Sequence, residues 1–128
     1  MRGSRRFVSL TVAPCAAVLA LAAVPVGAAQ APKPAAKVTV NDFYFAPSAV
    51  TIKKGKAVKW TWSSYNTYPH DVHLKQGPPG LKNKSRFSTT TTAVTEAHFQ
   101  RTFEVPGTYK FICTVHPSEM RMTVTVKR

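Results

Sequence analysis

Short runs of alternating apolar and polar residues, each followed by a turn signal, limit what this chain can fold into. Such runs begin near Val38, Val50, Val58, His98, Tyr109 and Met122. Turn residues such as Lys54-Gly55 and Pro106-Gly107 separate them. Alternation with a period of two indicates half-buried strands, and no segment of the predicted folded domain carries a long helical pattern. The sequence therefore predicts an all-β fold, either an antiparallel sandwich or a barrel.

The N-terminus has the features of a secretory signal peptide. Three arginines precede an apolar, alanine-rich stretch that ends in small residues, so we predict that residues 1–29 are a signal peptide. An uncleaved membrane anchor is the alternative, but Pro14 and Pro25 argue against it. Both general secretion and twin-arginine export stay open. We expect the mature protein in the periplasm, outside the cell or at the cell surface, without stable membrane insertion.

The mature chain would contain one cysteine. Cys15 falls in the predicted signal peptide, residues 30–36 are predicted to be a flexible leader, and residues 37–128 a single domain. A lone thiol in an exported domain cannot form an internal disulfide, so Cys113 is a buried filler, a reactive group or a metal ligand. Because His116 and Met120 follow it closely, a metal ligand is favoured.

Four side chains together form a ligand set that suits copper. Cys113, His116 and Met120 lie within eight residues, and His70 comes from an earlier segment. Two imidazoles and a thiolate in one plane, with a weak axial methionine, are typical of copper sites that transfer electrons. Structural zinc sites normally use only cysteine and histidine.

Several short motifs also follow one another in a specific order. They are Phe43-x-Phe45-x-Pro47, Val50-x-Ile52-x-x-Gly55-x-x-Val58-x-Trp60, Pro69-His70-x-Val72 and Gly107-x-Tyr109-x-Phe111-x-Cys113-x-x-His116-Pro117. This order resembles the small cupredoxins of the plastocyanin and amicyanin type. The resemblance implies a Greek-key β-sandwich that holds one type 1 copper ion and carries single electrons. It implies that the ligands are His70, Cys113, His116 and Met120.

The sequence offers three candidates for the axial ligand. Three residues separate His116 from Met120, whereas the family's plastocyanins have four and its amicyanins two. Met122 is the competing thioether, but strand alternation would turn it towards the core. Glu119 is a weaker candidate. Asp71 stands where many relatives carry asparagine; we expect it to accept a hydrogen bond near Thr114 and to favour oxidised copper.

The ligand set also limits the function. The sequence has no His-x-His pair of the kind that copper oxidases use, and the predicted mature domain has no second cysteine for a binuclear centre, so we predict an electron carrier and not an enzyme. The electron would enter at His116, where an apolar surface that includes Pro117 and Pro79 would meet a redox partner. The alternative is a copper-binding module for storage, delivery or sensing.

The charge of the chain bears on its partners rather than on its fold. Lysine and arginine number 18 against 5 aspartate and glutamate, which gives a formal net charge of +13. Nucleic acid is disfavoured because no nucleic-acid motif is present and the chain is predicted to be exported. We expect a monomer whose redox protein partners are acidic and whose lysines set the encounter rate.

Overall fold

A computed structural model describes Gly27, residues 29–92 and residues 95–128. The predicted signal peptide lies almost entirely outside the described residues. The strands are β1 (Ala36–Asn41), β2 (Tyr44–Ala46), β3 (Ala49–Lys53), β4 (Lys56–Trp62), β5 (His73–Gln76), β6 (His98–Phe103), β7 (Gly107–Ile112) and β8 (Arg121–Lys127). A short 3-10 helix spans Lys84–Phe87. In this part of the chain, no helix is long and apolar enough to cross a membrane.

The strands form two sheets of four strands each. The first has the order β2-β1-β4-β6 and the second the order β3-β8-β7-β5. Strand β1 lies parallel to β4, and β3 lies parallel to β8, while the other pairs are antiparallel. The chain reaches these parallel pairings by crossing between the sheets, from β2 to β3 and back to β4. The predicted all-β Greek-key sandwich is confirmed.

One apolar core joins the two sheets. Alternate residues of β1, β4, β7 and β8 are buried in it, namely Val38, Val40, Val58, Trp60, Trp62, Tyr109, Phe111, Met122, Val124 and Val126. The Trp60 ring lies 5.5 Å from that of Phe99 in its own sheet and 5.2 Å from that of Phe111 in the other, between ring centroids. Burial of each large side chain stabilises the fold by about 1.5–3 kcal/mol. Because protein cores are close-packed, this core provides a rigid support for the loops.

The two ends of the sandwich differ in what they carry. Strands β1, β4 and β7 finish at the end where β5, β6 and β8 begin. We call this the ligand end; it comprises residues 42–43, 63–72, 95–97 and 113–120. The opposite, distal end comprises the turn at 54–55, residues 77–80, residues 104–106 and residues 127–128. Strand β7 connects the two ends with six residues, a span of about 20 Å.

Candidate metal centre

Three of the predicted ligands converge at the ligand end. Cys113 follows β7 directly, His116 lies in the loop to β8, and His70 comes from the loop after β4. The Cys113 Sγ lies 3.8 Å from the His70 Nδ1 and 3.9 Å from the His116 Nδ1, and all three ligand atoms lie within 4.8 Å of one another. Residues that are 43 positions apart in the chain thus share one site.

His70 is held from both sides. Its backbone exchanges two hydrogen bonds of 2.9 Å with Thr92, and its carbonyl accepts one of 3.4 Å from the Trp62 indole. The ring is fully buried, and its Nε2 lies 2.7 Å from the Asp42 Oδ1. Because an ionised carboxylate can only accept, the Nε2 carries the proton and the Nδ1 presents its lone pair to the site.

Asp42 is a functional residue that the sequence analysis missed. It lies in the two-residue turn between β1 and β2, and its carboxylate also accepts hydrogen bonds of 2.9 and 2.8 Å from the backbone and hydroxyl of Thr67. The hydrogen bond from His70, supported by those from Thr67, holds the pKa of Asp42 well below its usual range. An aspartate in a hairpin turn looks like an ordinary turn residue, so the sequence offered no signal of this role.

The Cys113 thiol is fixed by two neighbouring segments. It is fully buried, its Sγ accepts a hydrogen bond of 3.4 Å from the Asp71 backbone, and its backbone N–H donates to the Met120 carbonyl at 3.1 Å. The buried Asp71 carboxylate accepts from the Thr114 backbone at 2.7 Å and from the Thr114 and Thr91 hydroxyls. The expected hydrogen bond near Thr114 is confirmed, and it ties the two ligand-bearing loops together.

The two methionines occupy different surroundings. Met120 is fully buried immediately before β8, and its backbone N–H donates to the His116 carbonyl at 2.9 Å. Met122 lies within β8, where its sulfur accepts a hydrogen bond of 3.0 Å from the Trp60 indole in the core. Glu119 is exposed and accepts a hydrogen bond of 2.7 Å from the Ser118 hydroxyl. Met122 and Glu119 are thus both engaged elsewhere.

His116 lies beneath an exposed aromatic surface. The Phe43 and Tyr68 rings stand edge-on to its imidazole at 5.0 and 6.1 Å, between centroids, and are 44% and 50% exposed. We call these two rings, with exposed Val115 and Pro117, the aromatic surface. The expectation that Pro79 belongs here is wrong. A Cβ on Gly107 would lie 2.6 Å from Pro78, which places that loop at the distal end.

The donor set fits a copper ion. Two donors of one metal ion, with bonds of about 2.0 Å to nitrogen and 2.3 Å to sulfur in a trigonal plane, lie about 3.7 Å apart. The sulfur-to-nitrogen distances of 3.8 and 3.9 Å match this separation. A thiolate with two imidazoles is also the set that copper prefers, and the carboxylate that orients His70 is a usual companion of a ligating histidine.

Comparison with known proteins agrees with this geometry. The profile described as copper binding proteins of the plastocyanin/azurin family matches residues 32–127. Amicyanin-alpha of Methylorubrum extorquens is 34% identical over 114 residues, covering 80% of this chain and 84% of the relative. The plastocyanin of Dryopteris crassirhizoma is 34% identical over 102 residues, covering 72% and 100%.

Solved structures give the same result. The crystal structure of amicyanin from Paracoccus versutus superposes with a TM-score of 0.58 at 29% identity, covering 77% of this chain and 87% of the amicyanin. The family match over residues 32–127 includes the strands of both sheets and all three converging ligands. The chain therefore belongs to the plastocyanin and azurin family of copper-binding proteins.

Proposed function

We propose that His70, Cys113, His116 and Met120 hold one copper ion and that the protein carries one electron at a time between redox proteins. The observation that carries the proposal is the cluster of one buried thiol and two imidazole nitrogens at 3.8 and 3.9 Å from it. Copper bound there would alternate between Cu(II) and Cu(I). Met120 is the favoured axial ligand because the sulfur of Met122 is engaged with Trp60.

The surroundings of the site suit a change of oxidation state without movement. Asp42 fixes the ring of His70, the Asp71 backbone fixes the sulfur of Cys113, and the Asp71 carboxylate joins the two loops. Ligands that are held before the electron arrives need little rearrangement when it does. The carboxylates of Asp42 and Asp71 also add negative charge beside the site, which favours the oxidised metal.

The protein is proposed to be a carrier and not an enzyme. His70, Cys113 and Met120 are fully buried, and His116 is the one proposed ligand that reaches the surface. A small substrate therefore has no path to the metal. An electron has a short one, through the His116 ring.

A redox protein would dock on the aromatic surface around His116. Phe43, Tyr68 and Val115 offer exposed apolar area there, of the kind that marks interaction sites. An acidic partner stays a prediction, but the charges do not favour its arrival by lysine steering. The described acidic residues lie mainly at the ligand end, and the distal end is rich in lysine. We assign docking to apolar contact between this protein as a monomer and its partner.

Export of a mature domain stays part of the proposal. We propose removal of residues 1–29, a short leader over residues 30–36 and a folded domain over residues 37–128. Ordered contacts begin before residue 37: the Ala35 backbone donates to the Ala57 carbonyl at 2.8 Å, Gln100 donates to the Pro32 carbonyl at 2.7 Å, and β1 starts at Ala36. The intact mass of the protein recovered from the exported fraction tests the cleavage.

A Cu(II) titration tests the function most directly. We expect one equivalent to produce an intense thiolate-to-copper absorption band and a narrow copper hyperfine splitting, both bleached reversibly by ascorbate. A pale complex with ordinary copper parameters would contradict a short bond to Cys113. The storage, delivery or sensing alternative would then be preferred.

A further inference from the structure

Charge is segregated along the sandwich. Six exposed cations gather at or next to the distal end: Lys37, Lys53, Lys54, Lys56, Lys127 and Arg128. Glu104 is the one carboxylate there. Within the described ranges, no lysine or arginine lies within salt-bridge distance of a carboxylate, so none of these cations is neutralised by one. The distal end is therefore a cationic surface open to solvent.

The lysines at the distal end stand next to one another. Lys53 and Lys127 are partners in the parallel ladder of β3 and β8, and the Lys54 backbone donates to the Lys127 carbonyl at 2.7 Å. Neighbouring strands are about 4.8 Å apart, and like charges on adjacent strands repel each other. An anionic surface that faces such a cluster offsets this repulsion and lowers the free energy.

The ligand end has the opposite character. Four of the five carboxylates of the chain lie in its loops, at Asp42, Asp71, Glu96 and Glu119, and Arg121 borders them as the first residue of β8. The exposed large apolar side chains of the described residues lie there or in the first residue of the adjoining β2: Phe43, Tyr44, Tyr65, Tyr68 and Val115. An anionic surface would thus attract the distal end and leave the ligand end facing away.

The N-terminal segment enters the sandwich at the same distal end. Strand β1 runs parallel to β4, with Ala36 beside Val58 and the Ala35 backbone hydrogen-bonded to the Ala57 carbonyl, while Pro32 accepts a hydrogen bond from Gln100 of β6. Lys33 in this leader is exposed and adds a further cation. The arginine-flanked apolar stretch that we predict to direct export precedes the leader in sequence.

We propose that the distal end binds the surface of an anionic phospholipid membrane and holds the ligand end outwards. Clusters of four to eight lysines and arginines are a recognised signature of binding to anionic lipids. The absence of exposed large apolar side chains at the distal end, among the residues described, means that charge and not insertion drives it. The proposal does not depend on copper, because no metal ligand takes part.

Vesicle binding tests the proposal. The protein is expressed with its own N-terminal segment and purified from the exported fraction, and its intact mass defines the N-terminus. Vesicles contain equal parts of phosphatidylglycerol and phosphatidylcholine, or phosphatidylcholine alone. We expect binding to the anionic vesicles that weakens with salt and is the same with and without copper. Equal binding to the neutral vesicles, or none to the anionic ones, would overturn the proposal.

Two triple variants locate the surface. Lys53→Gln/Lys54→Gln/Lys127→Gln removes three distal cations. Loss of one cation should weaken binding about fivefold, so the triple variant should bind roughly 100-fold more weakly. The matched control, Lys75→Gln/Lys110→Gln/Arg121→Gln, removes the same charge from a groove that these residues share beside β5, β7 and β8. It should retain most of the binding. Equal losses in both variants would show that net charge alone is responsible and would overturn the assignment.

Hydrogen exchange on the vesicle-bound protein tests the orientation. Amides of residues 53–56 and 127–128 should exchange more slowly than in the free protein, while those of residues 114–119 should be unchanged. Protection of residues 114–119 would mean that the ligand end faces the membrane, and this outcome would refute the proposed orientation. Thermal unfolding of each variant confirms that it is folded, since all six substitutions are at exposed positions.

Discussion

The ligand end and the distal end lie at opposite ends of the same strands, but their charged side chains are placed differently. At the ligand end, Asp42 and Asp71 are partly or fully buried, and each carboxylate accepts at least three hydrogen bonds. At the distal end, lysines extend into solvent and form no ion pair among the residues described. Buried charges with several partners hold neighbouring groups in fixed positions, whereas exposed charges act at a distance. The ligand end is therefore suited to holding side chains in a fixed geometry, and the distal end to attracting an anionic surface.

Removal of the Cys113 thiol should have the largest effect, and it should change the ligand end alone. In Cys113→Ser, the intense visible band should disappear completely, because that band requires a thiolate and Cys113 is the one cysteine among the described residues. Binding of the protein to anionic vesicles should be unchanged. Absorption spectroscopy and vesicle co-sedimentation measure the two properties on one sample. A persistent blue band in the variant would exclude Cys113 as the strong ligand.

The two methionines offer a sharper comparison inside the ligand end. Met120→Leu should raise the reduction potential, because loss of an axial donor disfavours Cu(II). Met122→Leu should leave the potential unchanged but lower the unfolding free energy by about 1 kcal/mol, because the buried Trp60 indole loses its acceptor. Voltammetry and thermal unfolding separate the effects. If Met122→Leu shifted the potential and Met120→Leu did not, the axial assignment would be reversed.

Neutralising the buried carboxylates should have a smaller effect on the same potential. Asp42→Asn and Asp71→Asn each remove one negative charge near the metal, so each should raise the potential. Asp42→Asn should have the larger effect because Asp42 contacts the ligand ring itself, at 2.7 Å. Glu104→Gln, which removes one carboxylate at the distal end, is the matched control and should leave it unchanged. Unchanged potentials in both aspartate variants would contradict this role of the charges.

Tyr109 should produce the smallest effect, on stability at alkaline pH. Its hydroxyl donates to the Val105 carbonyl at 2.8 Å near the distal end, and burial raises the pKa of the phenol. Because the unfolded chain then loses this proton at a lower pH than the folded one, the unfolding free energy should fall as the pH rises above about 10. Tyr109→Phe should make this fall shallower, while Tyr65→Phe at an exposed position should not. Urea unfolding between pH 8 and 11 measures the slope.

The sequence predicted the features that depend on local pattern. Alternation located the strands, and the spacing from Cys113 to Met120 indicated the metal centre. The role of Asp42 was missed because its contact with His70 joins positions 28 residues apart, and only the packing of two loops creates it. Likewise, composition revealed the excess of lysine but not its position. Pro79 was assigned to the wrong end of the sandwich. The loop after β5 lies at the distal end because β5 runs in that direction, and the alternation pattern does not give a strand's direction.

The turn between β1 and β2 has a consequence for how this protein can change. Asp42 reaches inward to the ring of His70, and its neighbour Phe43, with a φ of 69°, extends outward over His116. Two adjacent residues thus contact two different ligands, one from the interior and one from the docking side. A mutation that lengthens or redirects this turn would change both the reduction potential of the proposed copper site and the surface proposed for docking. Under the proposed function, this turn therefore couples the reduction potential to the shape of the docking surface.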